Sequence, residues 1–303
     1  MKPVPVVVPA PPMGQIDMRD LCHAVGFTGA RPLAQGRYRR LATQVEPSPV
    51  AISGAPLPVY ACLDGTQAHR LMVRWAHRDV ALAQIVAGAV DVSTRGILAL
   101  EERLVGICSY VDAPALSKAY PGLPLAELDE HHPWEIPLAA SSWVGAARGQ
   151  LERAVLDSCP PRPGSFLVLD GPLPPDGTRT DVIGAIKVAT DTDWLSDPGM
   201  IPMQGGWRSP ALLLPAAGRG ERDRFTALVR LRTCGPAQAW TYSLVRVEVY
   251  AEADLTVLDA AAALVVAYAG GLGGPDPRAE IQMSMMHTTE QVLKARITHF
   301  LTM

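Results

Sequence analysis

Two apolar segments of the chain end in the same pair of residues, an aspartate followed by a glycine. They are CLDG at 62–65 and VLDG at 168–171. An acidic residue at the end of a buried strand, followed by glycine, places a carboxylate at the sheet edge, where a ligand can approach the backbone. An Asp-Gly turn is the ordinary alternative for either copy, and two copies make the interpretations about equal. Asp64 and Asp170 are therefore candidates for chemistry.

A third carboxylate, Glu152, precedes Asp170 and lies in a segment whose apolar residues have helical spacing. Its neighbours Arg148 and Arg153 also allow an exposed, ion-paired glutamate at this position. Hard oxygen ligands from two strands and a helix are what two Mg²⁺ or Mn²⁺ ions need to hold the attacking and leaving oxygens of a phosphodiester. The three carboxylates together predict a metal site for phosphodiester hydrolysis.

The elements that must position these residues follow from apolar periodicity and from the places of glycine and proline. Strands are predicted at 59–65 and 69–75, which are close enough to form a hairpin, and at 165–173, 181–189, 225–232 and 242–250. Helices are predicted around 17–25 and at 141–158, 255–271 and 283–300. Segments 80–92 and 97–111 suit helix or strand, and strand is favoured for part of the first. This order indicates an α/β protein with a mixed β-sheet flanked by helices.

Composition supports one large domain preceded by an arm. The chain has 303 residues, of which 48% are hydrophobic and 19% charged, so it can bury a full core. Residues 1–56 are rich in proline and have little periodic apolar content, and we predict an N-terminal arm that makes an assembly contact. Residues 57–303 are predicted to form the folded domain.

Cysteine usage and the N-terminal residues predict a cytoplasmic protein. Five scattered cysteines lack any CxxC or Cys/His cluster, which indicates reduced thiols and no zinc site. The prolines in MKPVPVVVPAPPMG break the helix that a signal peptide or a membrane span would need.

The charge balance gives no support for nucleic-acid binding by the whole surface, because the formal net charge is −3. Any DNA-binding site must be a local patch. One candidate is the cluster in GARPLAQGRYRRL, which contains Arg31, Arg37, Arg39 and Arg40. Guanidinium groups can pair with phosphates, although a solvated helix face or a dimer contact is the more common interpretation of such a run.

The order of several short motifs resembles that of the NurA nucleases. The motifs are CLDGT, an acidic helix, FLVLDGPL, IGAIKVA, LVRVEVY and DPRAEIQMSMMHTTEQVLKARI, and they extend over about residues 58–298. The pair of Asp-Gly motifs at this separation, followed by a lysine-bearing strand, is the most specific part. The resemblance implies an RNase H-like fold for the domain at 57–303.

The same resemblance implies roles for particular residues. Asp64 and Asp170 match the metal ligands of the two strands, and Glu152 matches the helical ligand. His287 is nearest the place of a ligand on the C-terminal helix, where a packing role is equally expected. Lys187 matches a lysine that can hold the scissile phosphate, and a solvent-facing lysine is the alternative.

Three further residues have less specific roles. Arg70 follows the first Asp-Gly motif and can contact a DNA phosphate or lie on the surface of a hairpin. Glu248 in VRVEVY is expected to be structural. His299 is less favoured as a ligand than His287.

By resemblance, the chain is expected to hydrolyse DNA with Mn²⁺ or Mg²⁺, as an exonuclease on ends and an endonuclease on single strands. The family works as a homodimer with a HerA-type hexameric ATPase in DNA end processing, repair or phage defence. A degenerate RNase H-like adaptor that only docks onto the ATPase is the alternative. A PIWI-type slicer is the third possibility, although 303 residues leave no room for a guide-binding domain.

Overall fold

The computed structural model of the protein describes residues 42–75, 78–129, 136–187, 198–235, 242–269 and 283–297. The side chains of 69–75, 78, 79, 137 and 138 are not among the described features. The predicted helix around 17–25, the arginine cluster at 31–40 and His299 lie outside the described residues. The assembly role of the N-terminal arm therefore stays a prediction.

The described residues form strands and helices in an order close to the predicted one. The strands are β1 (Thr43–Gln44), β2 (Val50–Ala51), β3 (Val59–Trp75), β4 (Arg78–Asp91), β5 (Ile97–Ser109), β6 (Leu125–Leu128), β7 (Phe166–Asp170), β8 (Val182–Ile186), β9 (Trp207–Arg208), β10 (Leu212–Leu214), β11 (Arg224–Arg230) and β12 (Leu244–Tyr250). The helices are α1 (Ala113–Ala119), α2 (Ile136–Ser158), α3 (Leu255–Tyr268) and α4 (Ser284–Lys294).

All the described strands belong to one mixed sheet. Its order is β1-β10-β11-β12-β8-β7-β3-β4-β5-β6, with β9 paired to β11 and β2. Strands β3, β4 and β5 form an antiparallel meander, and β7 and β8 are added parallel to β3 after helix α2. This arrangement confirms the predicted α/β class with a mixed sheet flanked by helices. The meander, the helix and the two parallel strands agree with the RNase H-like order that the resemblance implied.

One local prediction was wrong. Residues 59–65 and 69–75 do not form a hairpin, because β3 continues through Asp64 and Gly65 as one strand. Its antiparallel partner is β4, in which Gly88 lies opposite Asp64. The reason is nonlocal, since pairing with β4 holds the Asp-Gly pair extended against its own preference for a turn.

Segments 80–92 and 97–111, which suit helix or strand in sequence terms, form β4 and β5. Buried alanines dominate β4 because helices cover both of its faces and leave little depth for side chains. The C-terminal helix ends earlier than predicted, at Lys294, with turn residues after it.

Apolar side chains fill both faces of the sheet. Helix α2 covers one face, where Leu63 packs with Leu151. Helices α3 and α4 cover the other, where Val168 packs with Leu258 and Met286. No helix in the described part of the chain is long and apolar enough to cross a membrane. The two helical layers place α2 and α4 on opposite sides of the strands that carry the aspartates.

The part of the predicted arm that is described joins the sheet. Strand β1 pairs with β10, and β2 pairs with β9. Between them, Glu46 accepts a fork of hydrogen bonds from Arg208, which is 1% exposed and also donates to Asp259 at 2.6 Å. Residues from 42 onward are thus fastened to the domain by pairing and by buried charge.

Candidate active site

Asp64 and Asp170 are brought together by the parallel pairing of β3 with β7. The register matches Cys62 with Val168 and Leu63 with Leu169, so the two aspartates follow at the same level. Successive side chains alternate between faces, and both aspartates lie on the face that α4 covers. Gly171 has a φ of 147°, which glycine adopts readily, and directly after Asp170 it forms an isolated antiparallel bridge with Ala185 of β8.

Burial and a neighbouring charge shift the protonation of Asp64. Its side chain is 9% exposed and accepts a hydrogen bond from Gly65 N–H at 2.7 Å. Burial raises the pKa of Asp64 to about 7, the negative charge of Asp170 adds to the rise, and Lys187 opposes it. The carboxylates therefore repel one another, which is the condition under which a cation would be attracted.

Glu152 lies on helix α2 against Gly65, the residue after Asp64. A Cβ at position 65 would collide with Glu152 Oε1 and would lie 2.7 Å from Arg148 Cγ. Glycine is thus required here for the side chains of α2 to approach the strand. Burial raises the pKa of Glu152, Arg148 lowers it, and Asp170 raises it further. The bond between Arg148 Nε and Glu152 Oε1 is 3.3 Å long.

Lys187, one residue past the end of β8, forms an ion pair with Asp170 Oδ2. Burial raises the pKa of Asp170, and the ammonium group of Lys187 opposes that rise. The lysine of this strand is therefore part of the charged cluster, as its sequence position suggested. Its proposed contact with a substrate phosphate stays a prediction.

Helix α4 crosses the sheet beside Asp64. Burial raises the pKa of the Cys62 thiol, two residues before Asp64 on the same face, and Thr289 of α4 opposes that rise, while Thr289 Oγ1 donates to Met285 O at 3.0 Å. Leu293 lies against Gly88, the β4 partner of Asp64, and a Cβ on Gly88 would be 2.6 Å from Leu293 Cδ2. The inner side of α4 is therefore fixed at the level of the aspartates.

This placement brings Glu290 toward Asp170. Position 290 borders the buried stripe of α4, and the charge of Glu290 raises the pKa of Asp170, in addition to the larger effect of burial and against that of Lys187. Glu290 also pairs with Lys294 at 2.7 Å. His287 lies a turn earlier and half-buried, and in the part of the chain described, neither a hydrogen bond nor an ion pair joins its imidazole to a site carboxylate. A ligand role for His287 stays a prediction.

The turn after Asp170 is held by residues of β11 and β12. Leu173 N–H donates to Glu248 Oε2 at 2.9 Å, and Arg224 donates to Leu173 O at 2.9 Å. Glu248 is fully buried and forms ion pairs with Arg224 at 3.4 Å and with Arg246 at 3.1 Å. The structural role expected of Glu248 is thus to anchor the segment that leaves Asp170.

The donor chemistry of the cluster suits a hard divalent cation, since carboxylate oxygens are the ligands of Mg²⁺ and Mn²⁺. Among the described residues, however, no three carboxylate, imidazole or thiol groups stand close enough to surround one ion. Lys187 and Arg148 instead neutralise part of the charge. Burial raises the pKa of Asp64 to about 7, and the charge of Asp170 adds to that rise despite Lys187.

Other predicted site residues are not brought to this cluster by the described features. Arg70 lies within β3, and its side chain is outside the described set. The arginines at 37, 39 and 40 are outside it as well. Two residues that sequence reasoning did not assign to the site, Arg148 and Glu290, are adjacent to it. A signal for both existed, because each occurs on a predicted helix with an acidic or basic residue one turn away.

Comparison with solved structures finds several similar chains, two of which are described here. No protein-family model and no curated protein matches the chain. The chain is similar to the NurA nuclease from Sulfolobus solfataricus, with 11% identity, a TM-score of 0.43, and coverage of 92% of this chain and 94% of the other. It is also similar to the Endonuclease V from Streptomyces avermitilis, with 18% identity, a TM-score of 0.28, and coverage of 94% and 96%. The α/β class with a mixed sheet follows from the strand order and register of the chain itself.

Proposed function

We propose that this protein is a metal-dependent nuclease that hydrolyses phosphodiester bonds of DNA. The observation that supports this most is the side-by-side placement of Asp64 and Asp170 on parallel strands, with Glu152 of α2 against Gly65, the residue after Asp64. Three carboxylates from two strands and a helix, buried enough to repel each other, form an arrangement suited to cation-assisted attack on phosphorus.

In this proposal, Asp64, Asp170 and Glu152 hold Mn²⁺ or Mg²⁺, and Glu290 and His287 are further candidates on α4. A bound divalent cation would supply charge stabilisation and an activated water for in-line attack. The chain itself contributes a fixed distance between the two aspartates, because both belong to one ladder. Lys187, on the ion-paired side of Asp170, is placed to hold a phosphate oxygen when that ion pair opens.

The substrate and partners follow from the resemblance stated for the sequence. We propose exonuclease action on DNA ends and endonuclease action on single strands, by a homodimer that works with a HerA-type hexameric ATPase in end processing, repair or phage defence. A net charge of −3 supports the need for a partner, because phosphate neutralisation supplies most non-specific affinity for DNA.

The test is an assay with end-labelled linear DNA and circular single-stranded DNA, in Mn²⁺, Mg²⁺ or EDTA, with and without the cognate ATPase. We expect cutting that requires the cation and is lost when Asp64 is replaced by asparagine. Cutting in EDTA would contradict the role of the cation. Absence of cutting under every condition, combined with tight co-elution with the ATPase, would favour the adaptor alternative.

A further inference from the structure

Arg148 is the arginine of helix α2 that lies at the carboxylate cluster. It precedes Glu152 by one helical turn, and its Cγ and Cδ atoms rest against Gly65, at 2.7 and 3.0 Å from where a Cβ would be. Its Nε is buried and lies 3.3 Å from Glu152 Oε1. The aliphatic stem thus lies against the strand, and the guanidinium lies beside Glu152.

The side chain of Arg148 is partly open to solvent. Its side chain is 42% exposed, and among the described residues its guanidinium has no ionic partner besides Glu152. A guanidinium carries five N–H donors, and Arg148 Nε, although 3.3 Å from Glu152 Oε1, makes no hydrogen bond to a described residue. Its charge lowers the pKa of Glu152 and that of Asp170, each of which burial raises, so the free donors lie within the electrostatic field of both carboxylates.

Other arginines of the fold differ in this respect. Arg208 donates to Glu46, Asp259 and a backbone carbonyl. Arg179 donates to both oxygens of Asp181 and to Tyr60 Oη. The donors of Arg208 and Arg179 thus bond to the protein itself. Arg148 has donors without such a partner among the described residues, and these can bind a ligand.

We propose that Arg148 binds a phosphodiester oxygen of the nucleic acid next to the linkage that is cut, and this rests on the proposed nuclease function. The two non-bridging oxygens of a phosphodiester can accept a bidentate pair of hydrogen bonds from a guanidinium, as the two oxygens of a carboxylate do, so the terminal nitrogens can take the phosphate while the ion pair with Glu152 is kept. Arg148 is then a substrate-binding residue that places the backbone against Asp170 and Glu152.

The matched control is Arg153, which lies on the same helix and has similar exposure, 39%, but pairs with Asp176 away from the cluster. We would measure the Kd of a labelled single-stranded oligonucleotide by fluorescence anisotropy, without cation so that no cutting occurs, for wild type, Arg148→Ala, Arg148→Lys and Arg153→Ala. Arg148→Ala should weaken binding roughly tenfold, because a charge-assisted hydrogen bond to phosphate is lost. Its log Kd should also change less steeply with log salt, by about 0.7.

A second measurement separates phosphate binding from a merely structural effect. We would measure the rates at which wild type and Arg148→Ala cut, in Mn²⁺, oligonucleotides that carry one neutral methylphosphonate. At the contacted linkage the neutral group should slow wild type and leave the variant unchanged, so that the two losses do not add. Arg148→Lys should recover part of the affinity, because it restores the charge without the fork.

Equal losses in Arg148→Ala and Arg153→Ala, or additive effects at every linkage, would overturn the role of Arg148 and leave the nuclease proposal standing. A wild type that neither binds nor cuts DNA, with or without the ATPase, would remove the proposed function and this inference with it. Circular dichroism of each variant shows that the comparison is between folded proteins.

Discussion

Asp64 and Asp170 stand side by side on parallel strands, one residue beyond the Leu63–Leu169 pair at which their ladder ends. The spacing of neighbouring strands is about 4.8 Å, so two like charges on one face at this level cannot both ionise without cost. Lys187 offsets the charge of Asp170, and burial, with the charge of Asp170 adding to it, raises the pKa of Asp64 to about 7. The fold thus holds in place a repulsion that a divalent cation would relieve.

Replacing either aspartate with asparagine should abolish DNA cutting and leave the fold intact. Each change removes a negative charge with little change in volume. Cutting rates in saturating Mn²⁺ and thermal unfolding curves test this for Asp64→Asn and Asp170→Asn. A variant that cuts DNA at the wild-type rate would show that its aspartate is not a catalytic residue.

Stability in the absence of cations should depend on pH through Asp64. An aspartate with a raised folded pKa binds its proton more tightly in the folded state, so stability falls as pH rises from about 4, the unfolded pKa, to about 7. Asp64→Asn has no such proton, and it should be more stable than wild type by about 1–4 kcal/mol at pH 8 and equal to it at pH 4. Denaturant unfolding in EDTA at both pH values measures the difference. A variant less stable than wild type at pH 8 would contradict the assigned direction.

Gly65→Ala should impair the site without unfolding the protein. The added Cβ would collide with Glu152 Oε1 and lie 2.7 Å from Arg148 Cγ, so both side chains must withdraw from the aspartates. We expect a cutting rate at least tenfold lower, consistent with the sensitivity of catalysis to displacements of about 1 Å. Gly149→Ala is the control, because its Cβ would meet no atom within 4 Å and alanine stabilises a helix by roughly 0.5–1 kcal/mol. Equal activity of the two variants would argue against a role for Glu152.

Metal titration should show which residues of α2 and α4 contribute most to Mn²⁺ affinity. Calorimetry with Mn²⁺ is expected to show weaker binding for Glu152→Gln and Glu290→Gln, because both carboxylates bear on Asp170. His287→Ala should have the smaller effect, since its imidazole is not bonded to a site carboxylate in the described structure. The reverse order would restore His287 as the ligand that the resemblance implied.

The two parts of the N-terminal segment should respond differently to change. Deleting residues 1–20 leaves Glu46 on Arg208, so Mn²⁺ affinity should persist while assembly or ATPase-stimulated cutting declines. Light scattering and co-elution with the ATPase measure assembly. Full assembly and stimulation would show that residues 1–20 have no such role.

Glu46→Gln should lower the free energy of unfolding by about 1–3 kcal/mol, because it removes the negative charge that pairs with the buried Arg208.

The sequence predicted those parts of the fold and site that depend on local pattern. Strand β7 and its terminal Asp170 follow from one apolar run and its glycine, and α2 follows from its stripe. The continuity of β3 through Asp64 was missed, because it depends on pairing with β4, which no local signal contains. Glu290 was missed because its approach to Asp170 depends on where α4 crosses the sheet.

The hydrogen bond from Leu173 N–H to Glu248 makes the site sensitive to residues that no substrate touches. In a random-mutagenesis screen for loss of cutting, substitutions at Glu248 and Arg224 should score beside those of the aspartates. The same substitutions should be rescued at low temperature or by stabilising changes elsewhere, whereas those at Asp64 should resist every suppressor. Suppressor genetics can therefore distinguish the residues that position Asp170 from the residues proposed to take part in the reaction.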